Sequence, residues 1–318
     1  MPRFAKAPED DYPIVYLADT DKPLPRHVNP HTRYAYFKLI ARGGRSIVQA
    51  CKDLHLMRVV CYKSLKAEFA DDPDEQRRFV REARVSAMLQ HPNTVPTYEL
   101  GRDLQGHYYF TMKMVHGYTL REVLDYRERY DLTRLVDVII QVAHALEYAH
   151  GHGVAHRDIK PENILVGPFG EVLVLDWGLA KVWHPEGTSA EDATAAKQTK
   201  TAVVEDLSLT LHGRLQGTVS YMSPEQIRMD PDLDFRTDIY SLGAVLYEAL
   251  AGVPPVSGTT INEILDKTLH ADLVVPSKHA KTPVPERLEE ICMRCLRPEP
   301  GDRVQTSGEL IRELQEDW

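Results

Sequence analysis

The period of apolar positions changes several times along this chain, and each change marks an expected element. Residues 1–33 show no apolar period. Their six prolines and scattered charges predict a linker or loosely docked arm. From Tyr34 the texture becomes strand-like: Tyr36–Ile40, Ser46–Cys51 and Arg58–Lys63 read as three strands. Asp74–Leu89 then carries Phe79, Ala83, Ser86 and Leu89 at helical spacing, and Asp72-Pro73 opens it. Tyr98–Gly101 and His107–Met112 read as two further strands around a turn at Gln105-Gly106. Leu132–His152 places Leu135, Val138, Ile139, Val142, Leu146 and Ala149 on one stripe and stops at Gly151 and Gly153. Ile164–Val166 and Val172–Leu175 predict a short hairpin. Residues 183–213, rich in Ala, Thr, Ser and acidic side chains, lose the apolar period and are expected to form a mobile insertion. Asp238–Leu250 is apolar nearly all round, which predicts a central buried helix. The pattern therefore describes a β-rich first part and a mainly helical second part, with no internal repeat.

Composition narrows the class. At 318 residues, with 43% apolar and 27% charged residues, the chain can bury a sizeable core and reads as an ordinary globular protein. A net charge of −9 argues against nucleic acid as a partner, because phosphate backbones demand clustered cations. No apolar run reaches the roughly 18 residues of a membrane span, and Met1-Pro2-Arg3-Phe4-Ala5-Lys6 lacks a secretory core. Four cysteines make no disulfide framework. Cys292-Met293-Arg294-Cys295 has metal-ligand spacing, but without a second pair or a nearby histidine it reads as buried, reduced helix cysteines. A cytoplasmic setting is expected.

Candidate chemistry concentrates in His156-Arg157-Asp158-Ile159-Lys160-Pro161-Glu162-Asn163. Asp158 can accept a proton from a hydroxyl nucleophile, Lys160 can neutralise phosphoryl charge, and Asn163 can ligate a hard cation through its carbonyl oxygen. Eighteen residues after Asp158, behind an apolar strand, stands Asp176-Trp177-Gly178. Upstream lie Ala41-Arg42-Gly43-Gly44-Arg45-Ser46 between two strands, Val60-Cys61-Tyr62-Lys63 at a strand end, and Arg81-Glu82-Ala83 on the helix. Downstream are Gly217-Thr218-Val219-Ser220-Tyr221-Met222-Ser223-Pro224-Glu225, then Asp238 and Arg303. Singly, each has an ordinary reading: a hairpin turn, a surface lysine, a solvated helix charge, a loop tripeptide.

In this order, however, the chain resembles the eukaryotic-like bacterial Ser/Thr protein kinases across residues 34–318. The resemblance implies an α+β, bilobal protein-kinase-like fold. It has a small β-rich N-lobe with helix C at about 34–113, a hinge at about 113–117, and a larger mainly helical C-lobe at about 118–318. It implies that Asp158 is the catalytic base, assisted by Lys160, that Asn163 and Asp176 hold Mg²⁺ (or Mn²⁺), and that Lys63 pairs with Glu82 and grips the ATP phosphates. Ala41, Arg42, Gly43 and Gly44 would line the phosphates, with Ala41 and Ser46 standing where the family has glycine, and Val48 would also contact the nucleotide. Because they restrict the positive-φ conformations open to glycine, a weaker grip on ATP is expected. Cys61, the gatekeeper Met112, and the backbone of Lys113 and Val115 would meet adenine. Asp238 would hold the catalytic-loop backbone, and Arg303 would pair with Glu225.

Lys160, Thr218 and the Ser223-Pro224-Glu225 closure are Ser/Thr-type signals in the family, so protein substrates are implied. Residues 176–225 correspond to the activation segment. There Arg157 would receive a phosphate placed on Thr199, Thr201, Ser208 or Thr210, with Thr210 preferred, ahead of Thr218. Phosphorylation in trans through a transient dimer is compatible with this reading, which leaves the oligomeric state open. The alternative is a pseudokinase, a nucleotide-binding interaction module, suggested by the depleted Gly-rich loop and by Trp177 in place of phenylalanine. The chain ends at the last expected helix, as an excised domain would.

Overall fold

The computed structural model describes residues 23, 32–183, 219–316 and 318, and these fall into two compact units. The first takes residues up to Gln90 together with Val95–Gly117; the second takes His91–Thr94 and everything from Tyr118 onward.

The first unit is a five-stranded antiparallel sheet of β1 (Tyr34–Arg42), β2 (Ser46–Asp53), β3 (Arg58–Leu65), β4 (Thr97–Arg102) and β5 (Tyr108–Lys113), in the order β1-β2-β3-β5-β4. One helix, α1 (Pro73–Met88), follows β3. Asp72 caps it by accepting from the amides of Asp74 (2.8 Å) and Glu75, and Pro73 occupies the first turn, where its missing N–H costs nothing. The apolar side of α1 meets the sheet where Phe79 and Ala83 join Leu65 and Phe110, with Phe79 and Phe110 tilted at 5.1 Å. Strand β1 slips register twice against β2, between Tyr36 and Lys38 and between Leu39 and Ala41. Phe37 and Ile40 are thus extra residues that bulge from the edge strand, a device that discourages edge pairing with another chain.

The second unit is mainly helical. Short strands β6 (Tyr118–Thr119), β8 (Ile164–Val166) and β9 (Val172–Val174) form one sheet, and β7 (Val154–Ala155) pairs with β10 (Lys181–Val182) in another. The helices are α2 (Leu120–Asp125), α3 (Leu132–Gly151), α4 (Pro224–Ile227), α5 (Arg236–Ala251), α6 (Ile261–Leu269), α7 (Glu286–Cys295) and α8 (Ser307–Gln315). Helix α5 is buried at every position from Thr237 to Ala251, with α3 and α7 packed on it. Gly243 allows the close approach of α7, because a Cβ there would lie 2.4 Å from the Cβ of Cys295. Cys292 and Cys295 are free thiols buried in α7. Arg127 reaches the last carbonyls of α5, at Ala249 (2.5 Å) and Leu250, and so closes its C-terminus. Among the described residues, no helix is long and apolar enough to cross a membrane.

Candidate active site

In the second unit the chain leaves β7 and turns sharply to present Asp158. The turn is made by Arg157 in the left-handed region (φ 69°), a conformation that a non-glycine residue holds only when its surroundings enforce it. Asp238, wholly buried on α5, supplies much of that enforcement. Its carboxylate accepts from the amides of His156 (2.8 Å) and Arg157 (2.7 Å), and His150 Nε2 lies 2.9 Å away. Burial pushes the Asp238 carboxyl up, but hydrogen bonding and charge from His150, with the donated amides, hold it below the usual range. The His156 ring completes the turn: Nδ1 accepts from the Asp158 amide at 3.1 Å, which leaves Nε2 as the donor to the Leu175 carbonyl at 3.0 Å.

At the tip, Lys160 Nζ donates to both carboxylate oxygens of Asp158, at 2.9 and 2.8 Å. Asn163 Nδ2 donates to the Asp158 carbonyl (2.9 Å) and to Oδ2 (2.8 Å). Both amide protons of Asn163 are thereby committed to Asp158, so Oδ1 is its remaining ligand atom. Burial drives the Asp158 carboxyl above its ordinary value against the opposing charge of Lys160, and nearby Asp176 adds to the rise. Burial works against the Lys160 ammonium as well, but the charge of Asp158 outweighs it and holds the proton more tightly than usual.

Asp176 is also left-handed (φ 60°) and exposed, and it is tied to the loop because the Leu175 amide donates to the Asn163 carbonyl at 2.8 Å. Asn163 Oδ1 and the Asp176 carboxylate are two hard oxygen donors held by one short stretch. This donor set fits Mg²⁺, which takes one or two protein ligands and completes its shell with phosphate and water. Trp177 is buried with its ring edge-on to His156 at 4.6 Å, and its indole N–H meets no acceptor among the described residues.

In the first unit, Lys63 Nζ and Glu82 Oε1 form an ion pair, both side chains nearly buried, with Lys63 above the Phe110 ring. Register puts Ala41 opposite Val48, Val48 opposite Lys63, and Cys61 opposite Met112. These five therefore share one sheet face. Arg42 ends β1 opposite Ile47, and Gly43, Gly44 and Arg45 form the turn, closed by the Gly43 amide donating to the Ser46 carbonyl at 2.9 Å. Lys113 ends β5, and Val115 follows it near the nearly buried Cys61.

One premise of the weaker-grip expectation is corrected here. Neither Gly43 nor Gly44 has a positive φ, and Ala41 and Ser46 are ordinary paired strand residues. The turn asks for no glycine-only conformation, so Ala41 and Ser46 impose no backbone strain.

Distant contacts hold the segment that closes the activation region. Arg303 spends all five guanidinium protons: two on Glu225 (2.6 and 2.7 Å) and three on the carbonyls of Arg297, Arg236 and Pro298. Arg121 links Glu248 (2.7 Å), Tyr221 and Glu162 (3.1 Å), so α5, the closing segment and the catalytic loop share one guanidinium.

Thr199, Thr201, Ser208, Thr210 and Thr218 lie outside the described residues, as do the arm and the insertion. Two residues in this region escaped the sequence reading. Lys181, five residues past Asp176 on β10, has its proton affinity lowered by burial and by the charge of Arg157. Gln226 donates to the Arg157 carbonyl. A lone lysine carries no pattern; Gln226 was foreshadowed by the Ser223-x-x-Gln226 capping box.

A carboxylate base held by lysine and asparagine, with an aspartate metal ligand behind it, defines the phosphoryl-transfer centre of protein kinases. Residues 34–314 match the protein kinase domain family. The chain is 34% identical over 293 residues to the serine/threonine-protein kinase PknB of Mycolicibacterium smegmatis, covering 91% of this chain and 43% of that protein. It is 33% identical over 298 residues to the serine/threonine-protein kinase PknD of Protochlamydia amoebophila (89% and 29%). It is 32% identical over 290 residues to PknB of Mycobacterium leprae (90% and 43%). The chain belongs to the protein kinase domain family, and it spans less than half the length of these curated relatives.

Proposed function

We propose that this chain is a serine/threonine protein kinase that moves the γ-phosphoryl group of ATP to Ser and Thr hydroxyls of proteins, its own activation segment included. The observation that carries this reading is the Asp158–Lys160–Asn163 triangle, complete and anchored by Asp238. Asp158 accepts the proton of the attacking hydroxyl, and Lys160 offsets charge on the transferred group. Asn163 and Asp176 would hold Mg²⁺ (or Mn²⁺), which neutralises phosphate charge when bound. Lys63, kept in place by Glu82, would neutralise the α- and β-phosphates. Little covalent work falls to the protein, so positioning and charge dominate the rate.

We assign the kinase domain to 34–318 and the activation segment to 176–225. A phosphate on that segment, Thr210 being preferred, would meet Arg157 with Lys181 as a second cation. Reduced, buried cysteines and ATP as donor suit a cytoplasmic setting. Incubation with Mg-ATP and a protein acceptor, followed by phosphoamino-acid analysis and mass spectrometry, tests the proposal. Phosphoserine or phosphothreonine is expected, with sites between Trp183 and Thr218. Transfer to tyrosine alone, or none, overturns it.

A further inference from the structure

The peptide group joining Arg157 to Asp158 is gripped at both ends. Its N–H, on Asp158, donates to His156 Nδ1 at 3.1 Å; its C=O, on Arg157, accepts from Gln226 Nε2 at 2.7 Å. The preceding peptide is held by Asp238 through the Arg157 amide. Of the three clamps, His156 belongs to the loop itself and Asp238 to the central helix. Gln226 belongs to α4, which begins in the segment that closes the activation region.

The chemistry fixes the orientation of its amide. Oε1 faces the Ser223 amide (3.0 Å), which can only donate, and Nε2 faces the Arg157 carbonyl, which can only accept. Ser223 Oγ in turn lies 2.8 Å from Thr237 Oγ1 on α5. Gln226 thus performs two separable tasks: its oxygen caps α4, and its nitrogen holds the peptide plane one bond from the Asp158 Cα.

We infer that Gln226 is a positioning residue for the kinase reaction, transmitting the seating of the closing segment to the catalytic base. The inference rests on the kinase reading above. A left-handed Arg157 is strained, and such a turn relaxes when one of its restraints is removed. Rotation of that peptide plane displaces the Asp158 carboxylate, and displacements of about 1 Å cost on the order of 10²-fold in rate.

Two substitutions separate the tasks. Gln226→Glu keeps the capping oxygen but turns a carboxylate oxygen toward the Arg157 carbonyl. Gln226→Lys gives up the cap but retains a donor able to reach that carbonyl. Steady-state phosphorylation of a protein acceptor and thermal unfolding are measured for both, beside wild type and Asp158→Asn. Gln226→Glu should lower kcat by about ten-fold or more with the ATP KM and melting temperature near wild type. Gln226→Lys should lose thermal stability and keep the larger part of kcat. Wild-type kcat in Gln226→Glu, or kcat falling in step with stability in both variants, overturns the inference while leaving the kinase reading intact. A wild-type protein whose transfer does not depend on Asp158 overturns both.

Discussion

The Arg303–Glu225 pair offers a quantitative test of how the closing segment is held. The two side chains are 0% and 5% exposed, so neither charge has water to fall back on. Arg303→Met leaves the Glu225 carboxylate buried without its partner and withdraws three donors from backbone carbonyls. Stranding one partner of a buried pair costs about 3–5 kcal/mol. The three carbonyl bonds add on the order of 1 kcal/mol each at most, since each net bond is modest and acceptors with two lone pairs recover partners. Glu225→Met strands the arginine and should cost about as much. The double variant Glu225→Met, Arg303→Met leaves no uncompensated charge, and apolar replacement of buried pairs is often close to neutral. It should therefore lose about 6 kcal/mol less than the sum of the singles, or better. Urea unfolding followed by tryptophan fluorescence measures this where it matters, because Trp177, Trp183 and Trp318 all belong to the second unit. An Arg303→Met loss below about 1 kcal/mol, or an additive double variant, would refute the claim that this pair is desolvated and mutually dependent.

Three further outcomes follow from particular contacts. Trp177→Phe removes a buried N–H with no acceptor among the described residues, a relief of about 1–3 kcal/mol that offsets the lost volume. Its stability in the same urea assay should stay within about 1 kcal/mol of wild type; a loss above about 3 kcal/mol would show that the indole is hydrogen-bonded. Gly243→Ala drives a Cβ against the Cβ of Cys295 and should cost about 1–3 kcal/mol despite better helix propensity. Cys295→Ala, which keeps that Cβ, should not restore it on calorimetry. Finally, burial raises the Asp158 carboxyl, so kcat/KM should fall on the acid side with an apparent pKa above the ordinary aspartate value. The sign is fixed by the role: the base works ionised, so activity disappears as pH falls through the raised value. The same shift makes this carboxyl favour the folded state below its unfolded pKa and lose that contribution as pH rises through the folded one. An acid limb at or below the ordinary value contradicts the buried environment.

Much of the architecture was legible because it is written in local period. The all-round apolar run around Asp238–Leu250 became the buried helix α5, and Phe79 and Ala83 marked the core side of α1. The contacts among Asp158, Lys160 and Asn163 were legible because these residues lie within eight positions of one another. What escaped depends on tertiary partners. The bulges at Phe37 and Ile40 are properties of pairing with β2, not of the β1 sequence. Arg121 joins residues 100 and 127 positions away, a spacing that no periodicity encodes. The positive-φ premise at Ala41 and Ser46 did not hold because both are paired strand residues, opposite Val48 and Leu65, a property of pairing that the residues alone do not show.

The central claim is that Asp158, held by Lys160, Asn163 and Asp238, is the base of a phosphoryl transfer. The most direct measurement is the single-turnover rate of phosphate transfer from Mg-ATP to a protein acceptor, compared between wild type and Asp158→Asn at matched nucleotide occupancy. Removal of the proton acceptor should slow the step by about 10²–10⁴-fold with nucleotide affinity little changed. Transfer at the wild-type rate in Asp158→Asn would contradict the assignment of this site.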